Sequence, residues 1–481
     1  MPGAIDPALT VPDTLVLENL FRDIKKEKFT TAVSSTASDG DNAATNDQFT
    51  DEEVIDQLTA FNNKNDPRFK PTVFTTWDEK DINPTLNKYI VQPYSRVGQK
   101  IVRHPTDVVF LTHLLIHFTT IVPSAILLFR HFSYWHAVPH TIWSVFCAGP
   151  FTLMMHNHIH NGGILSKQFS LIDRVFPYIL EPLMGHTWDS YYYHHVKHHH
   201  VEGNGADDLS STLRYQRDDV FDFLCYVGRF VFFVWLELPL YFLRKGKPGM
   251  ALKAGLSEYA SYAFFWFMAT QVNFKATLFA MFLPFGILRF FMMVGNFGQH
   301  ALVDEIEPDS DFRSSITLVD VPSNRFCFND GYHTAHHLNP RRHWRDQPLH
   351  FIKSKAQYAS GRALVFHNID YNMMTFKLLT KDYLYLADCL VPIGKEQMSM
   401  SREEIAAMLK TKTRRFTEAD IEAKFEKARV GSKLRKGSER TFAFTQWGHV
   451  EWVLAKLGGL ARGVDGVQQH YSGPGGVEKT K

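Results

Sequence analysis

The sequence predicts an all-α integral membrane protein: four transmembrane helices in two hairpins, further helices at the interface, and a cytoplasmic helical cap carrying a histidine-rich metal site. Three observations predict it. A strongly apolar middle lies between polar ends, although mean hydropathy is slightly negative. Histidines gather in three short clusters beside apolar segments: HNHIH at 156–160, YYYHHVKHHHV at 191–201 and HTAHH at 333–337. With His300, these places hold 12 of the 24 histidines. Finally, the apolar segments can be threaded so that every cluster falls on one face of a membrane.

The 481 residues divide into a polar, partly disordered cytoplasmic region (1–104), a membrane domain (105–395) and a basic helical C-terminal region with a flexible tail (396–481). Residues 13–28 and 51–62 read as helices, and 30–50, rich in Ser, Thr, Ala, Asp and Asn, as flexible. The N-terminal region is expected to be a solvated extension without chemistry, with 71–103 an ordered approach to the membrane. The opening residues lack a charged stretch followed by an apolar core, so no cleavable signal peptide is expected. Residues 108–129, VVFLTHLLIHFTTIVPSAILLF, contain no Asp, Glu, Lys or Arg and are long enough to span a bilayer. Lys100 and Arg103 before them favour a cytoplasmic start. His113 and His117 lie inside this span and are expected to pack within the bundle. Residues 137–155 return to the cytoplasmic side and deliver His156 and His160 there.

Residues 169–184 are interrupted by Asp173, Arg174, Pro177, Glu181 and Pro182, which suits an interfacial or re-entrant segment. In the acidic turn 201–208, Asp207 or Asp208 can orient an imidazole through its second nitrogen; an ordinary polar loop is an equal reading. Three apolar segments follow, 220–243, 259–272 and 276–294. If all three crossed, His300 would face away from the central cluster. Arg229 and Glu237 are costly at mid-bilayer, so 220–243 is assigned to the interface and the other two form the second hairpin. An Arg229 paired with a carboxylate inside a true span would defeat that assignment. Residues 364–392 read as a helical cap. Ser401 with Glu404, and Thr417 with Asp420, are capping-box signatures that open basic helices reaching to about residue 435, facing anionic lipid or simply solvated.

Histidines at i,i+4 share a helix face. His156 and His160 have that spacing, as do His195 and His199, and His333 and His337, with His336 beside them. Imidazole suits zinc, copper, iron and nickel. Because one structural zinc takes about four ligands, this many histidines point to two ions. The four cysteines are widely spaced and form no C-x-x-C. A formal net charge of +2 gives no push toward nucleic acid. There is no internal repeat, dinucleotide fingerprint, Walker motif or nucleophile elbow.

The clusters resemble the boxes of the membrane fatty acid desaturase superfamily, H-x3–4-H, H-x2–3-HH and [HQ]-x2–3-HH. Box one is His156-Asn-His-Ile-His160 and box three is His333-Thr-Ala-His336-His337. In box two His195 heads either His198-His199 or His199-His200; Asn204, four residues after His200, fits the second choice. His300, with Asn296 four residues before it, matches the lone histidine some members carry after the fourth span. The resemblance covers about residues 105–355. It implies a non-haem di-iron centre held by His156, His160, His195, His198, His199, His200, His300, His333, His336 and His337, with Asn296 reaching one iron through water. It further implies O2 as co-substrate, a lipid or acyl chain as substrate, and removal of two hydrogens to form an alkene. No H-P-G-G stretch marks a fused cytochrome b5 domain, so a separate cytochrome b5 or ferredoxin-type donor is expected, in the endoplasmic reticulum membrane with both termini cytoplasmic. The text around box two differs from the commonest acyl-CoA desaturases, and box three begins with His, not the Gln of front-end desaturases. Two alternatives stand: a lipid, alkane or isoprenoid hydroxylase with the same site, and a membrane metal transporter or sensor.

Overall fold

The computed structural model describes residues 9–35, 50–75, 77, 81–319 and 321–425. They are predominantly helical. By length and apolarity, three of the described helices can cross a membrane: Val108–Arg130, Val220–Arg244 and Phe274–His300. The first and third contain the expected spans 108–129 and 276–294. The expected spans 137–155 and 259–272 lie in long helices, Tyr134–Asn161 and Pro248–Phe267 continued by Met268–Val272, that are less apolar.

Val220–Arg244, expected at the interface, is by length and apolarity also able to cross. Arg229 Nε donates to both carboxylate oxygens of Glu237, at 3.1 and 3.0 Å. Each charge therefore meets its opposite along the same helix, so the pair does not bar the helix from an apolar environment. The helix is also tied at both ends to the loop after the central histidines. Near its start, the Tyr226 hydroxyl donates to the Ser210 carbonyl at 3.3 Å. At its end, Tyr241 donates to Glu202 at 2.7 Å and Lys245 to Asp207 at 2.9 Å. The helix Ser170–Leu180 exposes Leu171, Ile172, Val175, Tyr178 and Ile179 while burying Asp173, Phe176 and Leu180. An apolar face left outward on the folded chain suits a membrane interface.

The segment 364–392 is not wholly helical. Leu364–His367 is a strand, paired in parallel with Ile316–Val319 in the register Ile316 with Leu364. Both are short, fully buried apolar runs of the kind whose sequence does not separate strand from helix. Side chains alternate across a strand. Ile316, Leu318, Leu364 and Phe366 accordingly join one core, with Phe297 and Leu386, while Val319 and Val365 join another. The helices Tyr371–Leu379 and Tyr383–Cys389 follow.

That second core receives two helices of the N-terminal region, which among the described residues is therefore not a solvated extension. The helix Val11–Ser35 is longer than expected and includes residues 30–35; residues 36–49 of the stretch read as flexible lie outside the described residues. Asp51–Asn62 forms as expected behind a Thr50–Glu53 capping box. Val16, Leu17, Leu20, Val54 and Leu58 pack in one cluster with Tyr332, Phe351 and Tyr358. Lys355 donates to Asn19 at 2.7 Å and to Asp51 at 2.8 Å and also pairs with Asp23, joining both helices to the cap. Both C-terminal capping boxes form, opening Arg402–Thr411 and Glu418–Lys424. The tail expected beyond lies outside the described residues.

Candidate metal centre

Each histidine cluster sits where a helix begins or ends. The helix Tyr134–Asn161 ends at Gly162, whose φ of +66° is the left-handed cap that glycine favours. Its last turns carry His156 and His160. The third cluster forms the short helix His333–Leu338.

The central stretch corrects a pairing. Tyr192–His199 is a π-helix, bonded i to i+5. The wider turn brings i and i+5 together, so His195 joins His200 in one imidazole group, while His199, its ring stacked 5.6 Å from that of His195, falls in another. The Nε2 atoms of His195 and His200 lie 3.0 Å apart.

Two imidazole groups result. The first gathers His156, His160, His195, His200 and His336, and the second His199, His300 and His337. Within each, the nitrogens lie within 4.8 Å of one another. His333 borders the second group, its Nε2 being 3.0 Å from His300 Nε2 and 3.1 Å from His337 Nε2. Neighbours in sequence serve different groups: His199 and His337 the second, His200 and His336 the first. The groups are therefore adjacent, with the His200 and His337 ring centroids 5.3 Å apart.

The donor set fits bound metal. In the first group four Nε2 atoms close a ring: His156 to His195 2.9 Å, His195 to His200 3.0 Å, His200 to His336 2.8 Å and His336 to His156 3.0 Å. A neutral imidazole nitrogen holds at most one proton, directed along the ring's own axis, and cannot serve two neighbours at once. Neighbouring donors about 2.1 Å from a shared metal ion, at right angles, are about 3.0 Å apart. The nitrogens of His160 (Nε2) and His199 (Nε2) are buried without a hydrogen-bond partner among the described residues. Burial first, then neighbouring imidazoles, holds His195, His200, His336 and His337 well below the usual histidine range. They are neutral at physiological pH, the form that ligates metal.

Outer contacts fix several rings. His199 Nδ1 donates to Asp208 at 2.7 Å, and Asp208 also accepts from the backbone N–H groups of Asn204 and Ser210, at 3.0 and 2.8 Å. Of the two acidic candidates, then, Asp208 orients an imidazole, while Asp207 pairs with Lys245. His300 Nδ1 donates to the Ser314 carbonyl at 3.1 Å, which turns Nε2 toward His333. A carbonyl acceptor has no sequence signature, so Ser314 was invisible beforehand.

Besides His333, which only borders the second group, two expected ligands lie outside both groups. The π turn carries His198 to another face, where its Nε2 accepts the Leu209 N–H at 3.0 Å and its ring meets Tyr241 edge-on with centroids 4.5 Å apart. Asn296 donates to the Tyr226 hydroxyl at 2.6 Å and to the Ser210 carbonyl at 3.3 Å. His113 and His117 lie apart from the groups, beside Phe328 and Phe151 respectively. A cleft lined by Asn157, Phe328, Asp330 and Trp344 reaches His156, His160 and His336. Burial raises the Asp330 carboxyl to about 7, against a hydrogen bond from Gln299.

Residues 132–368 match the family model described as fatty acid desaturase. No curated protein and no solved structure matches the chain.

Proposed function

Because residues 132–368 belong to the fatty acid desaturase family, a family of oxidoreductases of lipid chains at membranes, we propose that this protein is a membrane-bound, oxygen-dependent desaturase of fatty acyl or related lipid chains. The observation that carries the reading is the convergence of three distant histidine clusters into two adjacent imidazole groups. The first group holds one iron through His156, His160, His195, His200 and His336. The second holds another through His199, His300, His333 and His337. Bound there, the pair of irons supplies the means to use O2 to take hydrogen from an unactivated C–H bond, chemistry that side chains alone lack. Overall, a saturated two-carbon unit, O2, two electrons and two protons give an alkene and two waters.

The chain's own part is binding, orientation and exclusion of water. Neutral imidazoles present lone pairs. Asp208 fixes the tautomer and direction of His199, and the Ser314 carbonyl those of His300. The electrons come from a separate donor of cytochrome b5 or ferredoxin type, and the enzyme resides in the endoplasmic reticulum with both termini in the cytoplasm.

The same convergence supports four crossings. His200 and His336 meet, as do His199 and His300, so an even number of crossings separates residues 200 and 300. With Val220–Arg244 tied at both ends to the loop at 202–210, that helix lies along the membrane surface. Pro248–Val272 and Phe274–His300 then form the second hairpin.

The test is lipid mass profiling of cells that express this chain, beside a His336→Ala control. A species lighter by two hydrogens, absent in the control, is expected. A product heavier by one oxygen would reassign the chain to hydroxylation. Metal-dependent zinc uptake with no lipid product would sink the desaturase reading.

A further inference from the structure

A second cleft lies beside the metal centre, and its walls have opposite character. One wall is apolar: Phe230, Val234 and Leu238, spaced i, i+4 and i+8 on Val220–Arg244. The other carries Thr187, His194, Glu258 and Arg289. Tyr191 also lines it, and the Tyr191 ring centroid is 5.2 Å from that of His195 in the first imidazole group. The cleft therefore adjoins the place where a chain would be oxidised.

The polar wall is buried. Glu258 and Arg289 are 2% and 5% exposed, and Arg289 Nη2 reaches both Glu258 oxygens at 2.9 and 3.0 Å. Thr187 donates to Glu258 at 2.8 Å and accepts from Arg289 at 3.2 Å. Ionised groups among membrane helices are expensive and mark ligand paths, and a well-packed apolar pair is often at least as stable as a buried ion pair. A cleft for plain hydrocarbon needs no such wall. His194 adds an unmet requirement: its Nε2 is buried with no hydrogen-bond partner among the described residues. It is the one histidine of the central run that neither joins an imidazole group nor finds a bond for that nitrogen, whereas His198 accepts Leu209 N–H.

We propose that this cleft binds a neutral oxygen function, a hydroxyl or a carbonyl, carried on the lipid chain close to the carbons that react. The inference rests on the desaturase reading and narrows its substrate class. Arg289 offers N–H donors beyond those engaged by Glu258, Thr187 and Tyr262, and His194 Nε2 can donate or accept according to its tautomer. Glu258 cancels the guanidinium charge, which disfavours a full anion and leaves a dipole suited to a neutral oxygen. The apolar wall takes the adjoining methylenes.

The test is direct binding, which needs no turnover. Metal-loaded, detergent-solubilised protein is titrated with isotope-labelled octadecane, octadecanol, octadecanamide and methyl octadecanoate. At least one oxygenated probe is expected to bind about tenfold tighter than octadecane, equivalent to about 1.4 kcal/mol. His194→Leu should reduce that ratio to about threefold or less while octadecane binding holds. Thr187→Val is the second variant should His194→Leu lose metal, and the same reduction is expected. Preference for octadecanol assigns a hydroxyl, and preference for the amide or ester assigns a carbonyl. Equal binding of all four probes, or a ratio that survives both substitutions, would overturn the proposal. Failure of the desaturase reading shows separately, as an unchanged lipid profile with the wild-type chain.

Discussion

The π turn makes a prediction that an ordinary helix would invert. His198 and His200 both look like ligands in HHVKHHH, yet only His200 enters the ring of nitrogens, 3.0 Å from His195 and 2.8 Å from His336. His200→Ala removes one corner of that ring. Even outer contacts to metal ligands are worth about 10–100-fold in affinity, so loss of a direct ligand should lower affinity at the first group by at least that, about 1.4–2.7 kcal/mol. His198→Ala removes no corner. It leaves the buried Leu209 N–H without its acceptor, at about 1–3 kcal/mol of stability, and removes the edge contact to Tyr241. The assay is metal count per chain after dialysis against graded chelator, with thermal unfolding measured on the same samples. His200→Ala should lose about half its metal at chelator levels the wild type withstands. His198→Ala should keep its metal and unfold at lower temperature. Metal loss from His198→Ala with full retention by His200→Ala would refute the π-turn assignment and restore an i,i+4 face.

Asp208→Asn keeps the size of the group but weakens its hold on His199 Nδ1; metal affinity at the second group should fall about 10–100-fold, and wild-type retention would demote Asp208 to a loop residue. Val16 is fully buried in the cluster that joins Leu58, Tyr332 and Phe351. Val16→Asp should therefore lower stability by at least about 2 kcal/mol, read as earlier thermal release of metal; a neutral effect would mean the N-terminal helix does not dock. Burial alone would raise the Asp304 carboxyl, but Lys412 and the N–H groups of Ile306 and Glu307 outweigh it and hold it down at about 2. A depressed carboxylate stabilises the fold above its unfolded value of 3.8 and loses that contribution as pH falls through about 2. With solvent screening of this half-buried group allowed for, the wild type should thus exceed Asp304→Asn by about 1 kcal/mol near neutrality, with the gap closing between about pH 4 and 2; a constant gap would remove the ion pair as its cause. Single cysteines placed at residues 245–247 and 273–275, in a chain lacking its four native ones, should label from opposite sides of sealed vesicles. Residues 245–247 should react on the side of the histidines; reaction from the far side would make Val220–Arg244 a true span.

What the sequence made legible was chemistry close in the chain. The three clusters, the single His300 and the capping residues Ser401, Glu404, Thr417 and Asp420 are local patterns, and the capping boxes form as written. What it hid depends on contacts made elsewhere. Whether YYYHHVKHHHV bonds i to i+4 or i to i+5 is not a property of its side chains. The loop that follows supplies the partners, Asp208 for His199 and the Leu209 N–H for His198, while His195 and His200 meet each other. The runs ITLV and LVFH were too short to separate strand from helix, and they pair across 48 residues of chain, Ile316 with Leu364. Arg229 and Glu237 read as two liabilities because charge was counted residue by residue, whereas side-chain reach joins them at 3.0 Å. The same correction applied to Glu258 and Arg289 has more consequence. A buried pair that each helix alone would reject becomes tolerable once Pro248–Phe267 packs against Phe274–His300, and it lines the same cleft as Tyr191, whose ring centroid is 5.2 Å from that of His195 in the first imidazole group.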